Sequence, residues 1–432
     1  MRIGVFARNL FVDWFGGSTR TNRELLIRLA GRRGVEVDFI PVVDEVYWRF
    51  KGRPGLRDMV LRWVESYERL GIYVHGLLIE HYISGDLHKT WAYLSREVLK
   101  EYDVVYDPII MPMADPRPLP QVRQVIDSTH YVLDYLSVNR NGKVIALTIG
   151  IADVPLKLMW GFRFAREFLF SNFRRVAGIE LFILRSLSLI NSLGKYRNRL
   201  LLLIPSIGVF RKVPQFRKFN YAIFYPAFAI DERVWSVNAE GKDSGVAAFF
   251  TRLDVTKGIL DLPRIIHYMN NKLRCDAVVK VIGGFEDERT EYVFWRRVRE
   301  LGITKYIDFI GYVPEDKKVD AYREVSRSQV LIYPSHSDAI SNVILEALAL
   351  KTPVVAYDIP SVREIFSGTR AVRFVPEFNV KEMAVETCRV MRAGDGIDEE
   401  AMRIVKEHSD WQVVINNFLS ILSSLGIDEQ GK

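Results

Sequence analysis

Two cations stand out first. Thr251-Arg252-Leu253-Asp254-Val255-Thr256-Lys257-Gly258 follows the strand-like run Val246–Phe250 and precedes a helical pattern. At a strand-to-helix junction Arg252 and Lys257 can both face a bound phosphate, with the helix N-terminus adding partial positive charge. A solvated loop whose cations pair with Asp254 and Asp261 would carry the same letters. Gly283-Gly284 ends the next strand-like run, where glycine either admits a close ligand or makes an ordinary turn. The richest segment is PSHSDAISNVILEA, Pro334 to Ala347. It leaves a strand and opens a helix, so amides around Ile340, Ser341 and Asn342 are offered to an anion. Asp338 lies in the loop, and Glu346 falls about two turns into the helix. Two carboxylates so spaced suit a polyhydroxylated ligand, one for sugar hydroxyls and one for a ribose. An N-cap aspartate with a helix-surface glutamate is the structural alternative.

These residues need a sheet to hold them. The first elements read β–loop–α–β: strand Arg2–Ala7, a loop from Arg8 to Gly17, a helix from Thr19 to Arg32, and strand Val35–Val43. Val104–Tyr106, Val122–Ile126, Leu201–Pro205 and Tyr221–Tyr225 read as further strands. The polar, glycine-rich stretch Val237–Gly245 is the candidate linker. A second alternating series then runs through strands Val246–Phe250, Ala277–Ile282, Ile307–Ile310, Val330–Tyr333 and Val354–Ala356. Helices are expected over Lys257–Met269, Asp287–Leu301, Lys317–Val325 and Ser341–Leu350. Such alternation predicts an α/β chain of two Rossmann-like, doubly wound parallel-sheet domains facing a cleft, with ligands at the carboxyl ends of the strands.

Composition bounds the rest. At 432 residues and 49% hydrophobic, the chain suits two domains with full cores and excludes a disordered or collagen-like polymer. Two cysteines, Cys275 and Cys388, are too few for a disulfide framework, so both are expected as small core thiols in a reducing, intracellular setting. No stretch reads as an export signal or a membrane span. The formal charge of +7 is local: between Lys157 and Lys218, 13 Lys and Arg face only Glu167 and Glu180. That aromatic, basic segment fits either buried helices with solvated arginines or a peripheral contact with anionic lipid. Zinc, RNP-like and helix-turn-helix patterns are missing from the sequence, so no nucleic-acid partner is expected.

In order and spacing, FFTRLDVTKGILDL, VIGGFEDE, IDFIGYV, VLIYPSHSDAISNVILEALALKTPVVAYDIPSVREI and HSDW resemble retaining glycosyltransferases of family 4, two-domain enzymes of the GT-B type. MRIGVF, Gly16-Gly17 and YPAFAIDERVW carry a thinner likeness. The resemblance implies residues 1–236 as an acceptor domain, 237–409 as a nucleotide-sugar domain, and 410–432 as a helix returning to the first. It implies metal-independent transfer of a hexose, with retention, from a UDP- or GDP-sugar to a glycan, lipid-linked or small-molecule acceptor. The nucleotide sugar is a co-substrate, and no cofactor is expected. Arg252 and Lys257 would hold the diphosphate, Glu346 the ribose and Asp338 the donor sugar, Asp338 standing where the family usually has glutamate. Gly283 would line the nucleotide pocket beside Ile340, Ser341 and Asn342, Gly16-Gly17 would close over donor or acceptor, and His130, ending a strand, would touch sugar. The expected setting is cytoplasmic, at most peripheral to a membrane. A non-catalytic sugar- or partner-binding relative is the alternative.

Overall fold

The computed structural model describes residues 1–7, 10–11, 17–42, 54–84, 102–108, 110, 128–147, 188–212, 214–238, 241–338, 341–394 and 396–427. It divides into two compact units, one of residues 1–228 with 411–432 and one of residues 229–410.

The first unit holds strands β1 (Arg2–Ala7), β2 (Glu36–Pro41), β3 (Tyr73–Val74), β4 (Val104–Asp107), β5 (Val144–Leu147), β6 (Leu200–Ile204) and β7 (Asn220–Ile223). They form one sheet, ordered β3-β2-β1-β4-β5-β6-β7, and every recorded pairing is parallel. Runs such as VVYD and LLLLI are buried at every residue, as strands covered on both faces must be. Helix Trp411–Ser424 packs into this unit through Phe418, whose ring lies 5.2 Å from Tyr106 and 5.6 Å from Phe224. The expected strand Val122–Ile126 lies outside the described residues. His130 does not end a strand; it sits in the first turn of helix Ser128–Val138. Tyr131, Val132, Tyr135 and Leu136 are the buried face there, a spacing that only a helix presents on one side.

The second unit holds β8 (Val246–Phe250), β9 (Val278–Ile282), β10 (Ile307–Gly311), β11 (Val330–Tyr333), β12 (Val354–Tyr357) and β13 (Val372–Val375), ordered β10-β9-β8-β11-β12-β13. All its ladders are parallel. The strand order reverses between β8 and β11, which makes their carboxyl ends the switch point of a doubly wound sheet. The series does not close at Val354–Ala356, because β13 pairs along the whole of β12. Two residues of the expected linker Val237–Gly245 are tied into the unit. Lys242 Nζ donates to Ser326 O and Thr352 Oγ1, each at 2.7 Å, and Gly245 N donates to Gln329 Oε1 at 2.8 Å. Burial lowers the Lys242 ammonium to about 8.

Two further expectations are corrected. Cys275 and Cys388 are not separate thiols but a disulfide, with Cα atoms 6.0 Å apart across 113 residues. The topology sets helix Val380–Ala393, which carries Cys388, against the turn Tyr268–Lys272 just before Cys275. The single helix expected over Lys257–Met269 is broken. A one-turn helix, Val255–Lys257, stops at left-handed Gly258 (φ 76°), and helix Leu262–His267 follows, continuing into the turn Tyr268–Lys272. The break keeps Lys257 off a long helix and lets the β8 loop meet the β11 loop.

Gly258 permits that meeting. A Cβ there would lie 2.0 Å from Pro334 O, whereas one at Gly302, also left-handed (φ 64°), would meet nothing within 4 Å. Chemical denaturation is therefore expected to show Gly258→Ala losing about 2 kcal/mol more than Gly302→Ala, whose cost is confined to backbone strain. Equal losses would contradict the loop contact.

Candidate active site

The loops leaving β8, β9 and β11 build one edge of the second unit. Leu253 N donates to Gly284 O at 2.9 Å, and His336 N donates to Thr256 O at 2.8 Å, so the β8 loop is tied to both neighbours. Gly283 (φ 146°) crosses beneath it, where a Cβ would lie 1.9 Å from Thr251 O. Only a residue without a side chain fits that approach.

Asp254 organises the β8 loop. Its Oδ1 accepts from Thr256 N at 2.7 Å, Thr256 Oγ1 at 2.5 Å and Lys257 N at 3.1 Å, while Oδ2 takes Arg252 Nε at 2.5 Å. Burial pushes this carboxyl up, but the Arg252 charge and the Thr256 hydroxyl outweigh it and hold the group below the usual aspartate range. Arg252 thus does pair with a local acid. Lys257 does not: its Nζ donates to Ser337 O at 3.1 Å and Asp338 Oδ2 at 2.9 Å, across the switch point. Burial opposes the Lys257 charge, yet Asp338 and its neighbours prevail and raise the ammonium above its ordinary value. The Tyr333 hydroxyl also donates to Asp338, and Ser361 Oγ donates to the Asp338 carbonyl. Tyr333 is raised by burial and by the Asp338 charge.

Both cations keep donors in reserve. Lys257 uses two of its three N–H groups, and Arg252 anchors through Nε alone among the described residues. Arg252 also lies within electrostatic reach of Glu286 and Asp338. The edge is therefore a cationic pair steadied by carboxylates, with unspent hydrogen-bond donors. Two polar oxygens of a phosphate would match it.

Glu346 is held deeper in helix Asn342–Ala349, only 3% exposed. Tyr322 Oη lies 2.9 Å from its Oε1 and 2.8 Å from Asp231 Oδ2. Ser341 caps that helix by accepting from Ile344 N at 3.2 Å, so its hydroxyl already has a structural task. Asn342 opens the helix. Ile340 and Gly16 lie outside the described residues, and Gly17 begins helix Gly17–Ala30 of the first unit. His130 belongs to that first unit as well. The loops thus bring together Arg252, Lys257, Asp338 and Gly283, while the Asn342–Ala349 helix carries Asn342 and Glu346, with Ser341 as its cap.

Residues 232–415 match the sequence model of glycosyl transferases group 1. Over 109 residues the chain is 26% identical to O-antigen chain mannosyltransferase B of Escherichia coli, a match that covers 25% of this chain. It spans about a quarter (26%) of that relative's length. Sucrose-phosphate synthase of Thermosynechococcus elongatus superposes with a TM-score of 0.63 at 12% identity, covering 98% of this chain and 99% of the other. HepE of Anabaena, solved with UDP-glucose, gives 0.61 at 14% identity, covering 98% and 100%. The two parallel sheets and these likenesses make the fold GT-B. Among the described residues, no helix is long and apolar enough to cross a membrane.

Several residues of this site escaped sequence reasoning. Asp254 entered only as a competitor for Arg252, although Asp-x-Thr before a short helix is a legible capping signal. Tyr333 gave none, and Tyr322 and Asp231 gave none because they meet each other and Glu346 only through contacts distant in sequence. His336 is likewise buried, with Nδ1 3.0 Å from Glu377 Oε1 and Nε2 3.3 Å from Asp261 Oδ2. Burial disfavours its charge, but the two carboxylates raise it above the ordinary histidine value.

Asp254 yields a pH prediction. A carboxyl depressed by folding stabilises the native state above its unfolded value, and that contribution fades as pH falls through the folded one. Asp254→Asn should cost about 2 kcal/mol or more at pH 7 and flatten the loss of stability below roughly pH 4. Parallel denaturation curves for variant and wild type across that range would contradict the assignment.

Proposed function

We propose that the chain transfers a hexose from a nucleoside-diphosphate sugar, UDP- or GDP-linked, to a glycan or lipid-linked acceptor in the cytoplasm, with retention and without a metal. One observation carries this reading: the steadied cation pair Arg252 and Lys257 at the switch point, with donors unspent. The curated relative is named a mannosyltransferase, and HepE was solved with UDP-glucose, which supports a nucleotide-sugar donor here.

In the proposed reaction the bond between sugar C1 and the diphosphate oxygen breaks, and the acceptor oxygen bonds to C1 on the same face. The acceptor's proton leaves with the departing diphosphate. Negative charge then builds on the phosphates, where the unused donors of Arg252 and Lys257 meet it. Because both side chains are fixed beforehand, little reorganisation accompanies bond cleavage. Asp338, holding Lys257, is positioned for a donor-sugar hydroxyl, and Glu346 for the ribose. The basic segment between Lys157 and Lys218, part of it outside the described residues, supports an acidic or lipid-linked acceptor.

Arg252→Ala and Lys257→Ala should each lower turnover by roughly one hundred-fold or more, with the fold retained by circular dichroism. A thermal-shift panel of UDP, GDP, ADP and their sugars should give selective stabilisation by one nucleotide class. Near-normal turnover in both variants would overturn the proposed roles. Selective binding with no transfer to any acceptor tried would favour a sugar-binding relative.

A further inference from the structure

The Glu346 carboxylate does not stand alone; it belongs to a buried group whose other members, Asp231, Tyr322 and Lys318, the reaction outlined above does not use. Glu346 is 3% exposed and Asp231 has a side chain 6% exposed. The two are joined through the hydroxyl of Tyr322, itself fully buried, at 2.8 Å from Asp231 and 2.9 Å from Glu346. The hydroxyl has one hydrogen, so it donates to one carboxylate at a time. Lys318 Nζ lies beside both, 3.6 Å from Asp231 and 3.8 Å from Glu346, and its ammonium sits 5.3 Å from the Tyr322 ring centroid.

The two acids are not served equally. Asp231 is gripped by Arg233, Nε to Oδ1 at 3.0 Å and Nη2 to Oδ2 at 2.7 Å, and also accepts from Arg233 N at 3.0 Å. Arg233 is tied in turn to Glu315. With Asp231 held by Arg233, the Tyr322 hydroxyl is kept between the two acids, donating to Asp231 Oδ2 or to Glu346 Oε1.

We infer that Tyr322, backed by Asp231 and Lys318, is a positioning residue that orients Glu346 toward the hydroxyls of the donor ribose. The inference rests on the reading of Glu346 as the ribose acceptor and adds what holds it there. Glu346 Oε1 is addressed by both the Tyr322 hydroxyl and the Lys318 ammonium, so the carboxylate plane is set before a nucleotide arrives. A preset acceptor loses less conformational freedom when a hydroxyl binds to it. The same grouping couples the ribose site to the first turns of the second unit, since Asp231 caps the short helix Glu232–Ser236.

The test is a binding cycle on the full chain, read by calorimetry. UDP and GDP are compared with their 2′-deoxy and 3′-deoxy forms in wild type, Tyr322→Phe and Lys318→Met. Wild type should favour the ribonucleotide by about tenfold over at least one deoxy form, the usual weight of a hydrogen bond to a charged group. Tyr322→Phe should lose most of that preference, binding the ribonucleotide roughly tenfold more weakly and the deoxy form almost unchanged. KM for the donor should rise with kcat nearly constant. Should the buried Tyr322 variant fail to fold, Lys318→Met, at a partly exposed position, carries the test with the same but smaller loss of preference. A general loosening would weaken both nucleotides alike, so preserved discrimination in the folded variants overturns the positioning role. Absence of discrimination in wild type overturns the ribose assignment of Glu346 itself, and the inference falls with it.

Discussion

The ion pair between Lys257 and Asp338 is the constraint on which the site depends. It joins the loops that leave β8 and β11, the two strands between which the sheet reverses its order. Each partner alone would be a costly half-buried charge; together, with Ser337 O and the Tyr333 hydroxyl as further partners, they are satisfied. The pair therefore fixes two loops against each other and leaves one ammonium hydrogen for a ligand. Apolar side chains in its place could hold the loops as firmly, but they would remove the positive charge that the proposed reaction calls for.

Around that pair the loop architecture is built from small local rules. Asp254 caps its own turn, Gly258 ends it, and Gly283 lets the β9 loop slide under Thr251. None of these contacts is large, yet each removes a degree of freedom from Arg252 or Lys257. On the far side of the helix Asn342–Ala349, the group of Asp231, Tyr322 and Lys318 does the same for Glu346. The domain thus spends buried polar contacts on orientation, where a plain α/β core would use apolar packing.

Much of this was legible in the sequence because it follows from short-range chemistry. Buried strands such as VAAFF and VLIY announce themselves by composition, and both emerge with the bounds their patterns suggest. Arg252, Lys257 and Asp338 were visible because they fall on strand-to-helix connections, and Glu346 because it lies in the helix that follows one. What the letters hid was pairing at a distance. Lys257 has Asp261 four residues away yet bonds Asp338, because Gly258 turns the chain before a helix can form. Cys275 and Cys388 are joined by topology, not by spacing. His130 was read as ending a strand after the strand-like run Val122–Ile126, whereas the buried side chains after it repeat every three to four positions, as in a helix.

The central claim is that Arg252 and Lys257 form a ready-made seat for a diphosphate. Calorimetric titration with nucleoside diphosphates and the matching monophosphates, UDP with UMP and GDP with GMP, tests it most directly. For the nucleotide that binds, the diphosphate should be at least about tenfold tighter than the monophosphate, and Lys257→Ala should erase that difference while leaving the monophosphate nearly unaffected. Equal affinity for the two phosphates in wild type, or a diphosphate preference that survives Lys257→Ala, would contradict it.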